Sequence, residues 1–279
     1  MRAPLLGVIL AWAVVRIVDR VRIARMSPKE RTPLAHEHCL RAQEISEEAC
    51  RRLGVSPIDL PRGVMGDMID EYSRALEIDP GHLEALHDRA YWRSYRGDDW
   101  RAMRDYDELL RLDPKNALAW YQRGRLQHER GKHAEAIADF THALEVEPAR
   151  PGQATLGARS RCRRETGDWQ GALDDLMADG GRDHLGIADC RQALGQHAEA
   201  VKAYDAYLRT SNSTEVLYRR GVSLFAAGDR AGAIEDFARA CQEAGTPRAD
   251  ALTYMREHPG DPMSGALEEA LRPRPESVR

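Results

Sequence analysis

The sequence predicts an all-α solenoid, in which antiparallel helix pairs stack into a right-handed superhelix. Three observations predict it. Gly97, Gly131, Gly167, Gly195 and Gly228 are each followed five residues later by alanine (Ala102, Ala136, Ala172, Ala200, Ala233) and preceded by seven by a small residue (Ala90, Gly124, Ser160, Ala188, Gly221). Nine residues after each glycine comes a large apolar side chain: Tyr106, Phe140, Leu176, Tyr204 or Phe237. Between the turns the apolar residues keep helical spacing, as in Ala136, Ile137, Phe140, Ala143 and Leu144. A unit that recurs in this way cannot bury its apolar face alone, so its neighbours must cover it.

Residues 1–32 read as an apolar N-terminal helix and a basic linker. Ala3 to Val15 carries no charge, Arg16 interrupts, and Ile17 and Val18 follow. Thirteen to sixteen apolar residues fall short of the roughly 20 that cross a bilayer. Arg16 could snorkel to the interface. Arg20, Arg22, Arg25, Lys29 and Arg31 would keep the following repeats cytoplasmic by the positive-inside rule. Three readings stay open: a membrane anchor or membrane-lying helix over residues 3–18, a true start at Met26, and a soluble helix packed on the first repeat. Ala11-Trp12-Ala13 mimics a signal-cleavage site, but the apolar stretch before it is too short.

Residues 33–82 form a divergent helix pair, a long helix over about Leu34–Leu53 and a second over Gly66–Pro80, with Tyr72, Ala75 and Pro80 in repeat positions. Residues 83–245 hold the five clear copies. The cleanest is Ala117–Pro148, where Gly131-Lys132 makes the turn and Pro148 stops the second helix. Pro80, Pro114 and Pro148 lie 34 residues apart. The segment from Gly167 to Gly195 is only 28 residues long, and Asp179-Gly180-Gly181 shortens its second helix. Residues 246–272 read as two capping helices split by His258-Pro259-Gly260-Asp261-Pro262, and residues 273–279 as a disordered tail.

Trp120, Gly124, Gly131, Ala136, Phe140, Ala143 and Pro148, with the 34-residue period, make the chain resemble the tetratricopeptide repeat. The resemblance covers roughly Leu83 to Ala244. It implies a non-enzymatic adaptor whose first helices line a concave, peptide-binding face. Carried over by position, that face holds His87, Tyr91, Tyr121, Arg125, His128, Arg161, Arg164 and Tyr218, with Val222 and Phe225 making its far end more apolar. Tyrosine and arginine are enriched at binding hot spots, and arginine forks onto carboxylates. The expected partner is therefore a protein or peptide with acidic and apolar residues. One subclass of the family clamps the C-terminal carboxylate of chaperone tails through lysine and asparagine. Here His87, Tyr91, Tyr121 and Arg125 stand in those places, so that partner is not expected.

A second pattern runs through the repeats. Eight residues before the glycine stands Arg89, Arg123, Arg159 or Arg220, and eight after it Asp105, Asp139, Asp175 or Asp236. The Gly195 copy lacks both and has Ile187 and Ala203. Joint presence and joint absence predict an ion pair inside four repeats and an apolar contact in the other. These arginines are accordingly structural and not ligand-binding.

Composition narrows function further. A net charge of -4 and a pI near 6.2 give no overall basic footprint for nucleic acid. A helical-repeat RNA binder using groove arginine and tyrosine is the alternative, and self-association through an apolar face is a third option. The five cysteines contain no CxxC pair, and Cys39 and Cys50 would lie about 16 Å apart along one helix, which fits a reducing compartment. His36-Glu37-His38-Cys39 has ligand-type residues, but neighbours on a helix point apart, so no metal site is expected. His128, Glu129 and His133 miss the zinc-protease spacing by one residue. No phosphate loop, nucleophile elbow or carboxylate pair stands out, so neither an enzyme nor a cofactor is expected.

Overall fold

The computed structural model describes residues 21–147, 153–241 and 246–272, and among them every regular element is helical. The chain divides into two compact units, Met1–Arg150 and Pro151–Arg279. The first contains α1 (Pro28–Leu53), α2 (Arg62–Ile78), α3 (Leu83–Tyr95), α4 (Asp99–Leu112), α5 (Ala117–Glu129) and α6 (His133–Val146). The second contains α7 (Gln153–Glu165), α8 (Trp169–Ala178), α9 (His184–Ala193), α10 (His197–Leu208), α11 (Thr214–Ala226), α12 (Arg230–Ala240), α13 (Thr246–Glu257) and α14 (Pro262–Leu271). Odd- and even-numbered helices pair from α1/α2 to α11/α12. Within each unit this is the all-α stacking of helix pairs that the repeats require.

The five pairs from α3/α4 to α11/α12 share one local chemistry. Gly131 has φ 73°, a left-handed conformation that costs glycine nothing and other residues strain. It lets the Lys132 N–H close back on the Gln127 carbonyl at 2.9 Å, ending α5 and starting α6. First helices begin on side-chain caps: His82, Asn116, Asp183 and Ser213 accept from the backbone N–H three residues on.

The repeated apolar positions form the cores. In the first unit Tyr72, Ala75, Leu86, Ala90, Tyr106, Leu109 and Leu126 share one buried cluster. In the second, Leu176, Ile187, Cys190 and Tyr204 make one cluster, and Phe237, Ala251 and Leu267 another. Each large side chain so buried contributes about 1.5–3 kcal/mol.

The N-terminal end differs from the sequence expectation. The first helix starts at Pro28 and not near Leu34, because the Glu30 carboxylate accepts from the Ser27 N–H at 2.8 Å and its hydroxyl at 2.9 Å. Residues 21–25, read as linker, are also helical. At the other end α13 and α14 do not stack as another repeat would. It is α14 that packs on α12, with Arg230 reaching the Pro262 carbonyl and Glu269, while α13 lies against α11. Among the described residues no helix is long and apolar enough to cross a membrane; the apolar stretch 3–18 and the tail 273–279 lie outside them.

Candidate interaction surface

The Arg and Asp positions meet inside the helix pairs. Arg89 donates through Nε and Nη2 to both Asp105 carboxylate oxygens at 3.0 and 2.8 Å. Arg123 does the same to Asp139 at 2.8 Å twice, Arg159 to Asp175 at 3.0 and 2.6 Å, and Arg220 to Asp236 at 2.7 and 2.8 Å. All four carboxylates are buried. Burial alone would lower the pKa of Arg123, but the hydrogen bonds and charge of Asp139 and Asp107 outweigh it and raise the pKa. In the exceptional copy Ile187 and Ala203 are both buried in one apolar cluster.

The pairs also reach backward. The remaining Nη1 of Arg123 donates to Asp107 on α4 at 2.7 Å, that of Arg220 to Asp205 on α10 at 2.6 Å, and that of Arg89 to the Ser73 hydroxyl on α2 at 3.3 Å. Each of these arginines thus closes its own pair and fastens it to the preceding second helix. Arg93 and Arg163 add a second guanidinium to Asp105 and Asp175 at 2.6 and 3.0 Å. Sequence reasoning missed both. Their signal is an arginine four residues before the glycine, a slot that varies between copies as Gln127, Arg191 and Leu224.

In the first unit His87, Tyr91, Tyr121, Arg125 and His128 are half-buried on the outer faces of α3 and α5. Two helices supply one continuous surface, since Arg125 Nη2 lies 3.4 Å from the Ser94 hydroxyl. Tyr91 stacks at 4.8 Å on Tyr95, and burial, then its hydrogen bond with Tyr95, pushes its pKa up to about 12. Tyr121 packs at 5.8 Å on Phe140. His87 Nδ1 meets Asp88 at 2.9 Å, and His128 Nδ1 meets His133 at 3.3 Å. Arg125 Nη1 pairs with Glu129 one turn on, at 2.6 Å, with the Arg125 side chain half-buried and that of Glu129 exposed. Beside His87 and Tyr91 opens a cleft of about 350 Å³ that also takes in Gln43, Glu47 and Tyr72.

In the second unit Arg161 is exposed, and Arg164 lies 3.9 Å from Asp189. Asp189 also accepts from the Tyr204 hydroxyl at 2.9 Å and Arg219 at 3.2 Å. Tyr218 differs from the other face residues. With Val222 and Phe225 it joins the cluster built on Ala251, Phe237 and Leu267, to which Tyr254 and Met255 of α13 also belong.

Two tetratricopeptide repeat family models match the chain, one over residues 94–161 and the other over residues 185–249. This is a tetratricopeptide repeat protein. The solved structure of YrrB, described as a tetratricopeptide repeat protein with an unusual peptide-binding site, matches with a TM-score of 0.57 at 19% identity, covering 67% of this chain and 96% of that one. PilF of Pseudomonas aeruginosa matches with a TM-score of 0.53 at 16% identity, over 84% of this chain and 97% of its own. PilW, a type IV pilus biogenesis factor, gives 0.52 at 18% identity, over 76% and 98%. At such identities the likeness is one of fold. No curated protein sequence matches the chain.

Ligand-type residues in this tetratricopeptide repeat chain have structural partners. His36, His82 and Glu84 each bring a ligand atom within 4.8 Å of the others. Yet His82 Nδ1 already accepts the Ala85 N–H that caps α3, and His36 Nδ1 meets Glu84 at 3.1 Å. His38 turns away to Glu71 at 2.7 Å. Cys39, Cys162, Cys190 and Cys241 are buried. Burial pushes the Cys39 thiol up to about 12, and the Cys162 and Cys190 thiols to about 11, so they behave as small apolar side chains.

Proposed function

We propose that this protein is a non-enzymatic scaffold that binds a peptide segment of another protein across its first helices. Tetratricopeptide repeats serve generally as protein-interaction modules, and the finer reading rests on one observation. His87, Tyr91, Tyr121 and Arg125 share a continuous, partly solvated surface on α3 and α5, and none of them joins the buried arginine–aspartate pairs. The structural arginines Arg89 and Arg123, by contrast, are locked on buried aspartates.

Such a face suits a segment with apolar and acidic side chains. Tyr91 and Tyr121 offer rigid aromatic area at low entropic cost. Arg125 meets Gln122 and Ser94 at 3.2 and 3.4 Å and pairs with Glu129 at 2.6 Å, and an i,i+4 helix pair of this kind is worth about 0.3–0.5 kcal/mol. A partner carboxylate in bidentate geometry displaces it readily. Arg161 and Arg164 extend the same chemistry in the second unit. YrrB, likewise described as having a peptide-binding site, supports the reading by its fold.

The test is affinity capture with the full chain beside a Tyr91→Ala/Arg125→Ala variant. The expected result is a partner bound by wild type and lost by the variant at unchanged melting temperature. A partner retained equally by both overturns the site assignment. Nucleic acid in the purified protein, seen as a raised 260/280 nm absorbance ratio, would favour an RNA ligand instead. For residues 3–18 we propose attachment to the cytoplasmic face of a membrane, and sedimentation of full-length protein against a chain starting at Met26 decides it.

A further inference from the structure

The last repeat carries a face unlike the others. Six residues before the turn glycine, Tyr91, Arg125, Arg161 and Asp189 give way to Val222. Three before it, Ser94, His128, Arg164 and Gln192 give way to Phe225. A polar face has become apolar in a single copy, the one beside α13. That helix presents Ala251, Tyr254 and Met255 at i, i+3 and i+4, a single stripe. Ala251 is fully buried, and all three share a cluster with Tyr218, Val222 and Phe225. Burial, then the charge of Asp250, pushes the Tyr218 hydroxyl up to about 12.

The helix that completes the solenoid is a different one. α14 covers α12 and buries Ser264, Ala266 and Leu267 there, in the place a following repeat would take. The face of α11 is therefore filled by a segment the stack does not need. α13 is weakly held as well. Most of its residues are exposed, Leu252 to 49%. Its polar ties are the Arg248 bond to the Cys241 carbonyl at 3.1 Å and the Tyr254 hydroxyl to Asp261 at 3.3 Å.

We propose that the Tyr218, Val222 and Phe225 face is a seat for an amphipathic helix, filled at rest by the chain's own α13, and that a partner engages the last repeat by displacing it. The partner it fits is a helix with a small, an aromatic and a flexible apolar residue at i, i+3 and i+4, the helix-in-groove mode of recognition. A resident helix lowers the apparent affinity for an outside one by the fraction of time the seat is open. This deepens the scaffold reading and rests on it, because it gives one end of the first-helix surface a defined ligand and a gate.

The test uses the full chain and a fluorescent peptide with the sequence of residues 246–258. A Tyr254→Ala/Met255→Ala variant loosens the resident helix without touching the seat, and it should bind the peptide at least about tenfold more tightly than wild type. Adding Tyr218→Ala and Phe225→Ala should abolish that gain. Equal binding by variant and wild type, or binding by neither, overturns the proposal. Hydrogen exchange on the wild-type chain tests the same point with no substitution. The amides of 247–257 should exchange by local opening while those of 230–240 stay protected, and a shared protection for both overturns the gate. Because the probe is the chain's own segment, a negative result here leaves the Tyr91 and Arg125 surface standing, and failure of that surface leaves this seat standing.

Discussion

A Cβ added to Gly221 would stand 2.6 Å from the Phe237 ring, and one added to Gly124 would stand 2.9 Å from Phe140. No real Cβ comes that close, so helices and ring must part. Overpacking of this kind costs about 1–3 kcal/mol, against a gain of about 1 kcal/mol when alanine replaces glycine in a helix. Gly221→Ala should therefore lower the thermal midpoint. Gly157, in the interior of α7, has nothing within 4 Å of its would-be Cβ, and Gly157→Ala should raise it. A melt of the two variants beside wild type checks both signs. At this scale the sequence was legible: the small residue seven positions before the turn and the ring nine after it are the two sides of this contact.

At the scale of the helix pair, the energetics centre on buried carboxylates. Asp139→Ala would leave the Arg123 guanidinium, with 18% of its side chain exposed, facing the space of its lost partner and hydrogen-bonded only at Nη1, to Asp107. Stranding one member of a buried pair costs about 3–5 kcal/mol. Asp105→Ala strands both Arg89 and Arg93, and it should lower the urea midpoint further than Asp139→Ala. A midpoint unchanged from wild type in either variant would refute the role given to the pair. The Arg and Asp partnership showed itself in the sequence because both members vanish together at Ile187 and Ala203. The second guanidinium from Arg93 and Arg163 did not, because its slot holds arginine in three copies, glutamine in one and leucine in another. The start of α1 was obscured by Pro33 inside the helix, although Ser27 and Glu30 form a start signal. The seating of α13 was out of reach for a physical reason: Tyr218, Val222 and Phe225 look the same in a sequence whether a partner or the chain's own helix covers them.

Across the whole molecule the buried acids respond to base together. The Cys39, Cys162 and Cys190 thiols ionise near 9 when unfolded and at about 11–12 when folded. Burial likewise raises Tyr72, Tyr106 and Tyr204. Above pH 9 the unfolded chain releases protons that the folded chain retains, so the unfolded state binds fewer protons and stability falls with rising pH. The stabilisation is complete below about pH 9 and is lost as pH climbs through about 11–12. Urea midpoints measured from pH 7 to 11 should stay level up to about 9 and then decline, and Cys162→Ala/Cys190→Ala should soften the decline.

The backward reach of Arg123 and Arg220 gives the stack a direction. Asp107 and Asp205, which receive their third hydrogen bonds, are themselves 58% and 45% exposed. Deprived of the arginine, either carboxylate simply hydrates. Deprived of the carboxylate, the arginine keeps a half-sheltered N–H with nothing to meet. At these two junctions the later repeat therefore leans on the earlier one, which asks little in return. At both places the later repeat rests on a carboxylate that the earlier one can spare to water, as a tilted book rests on the upright one beside it.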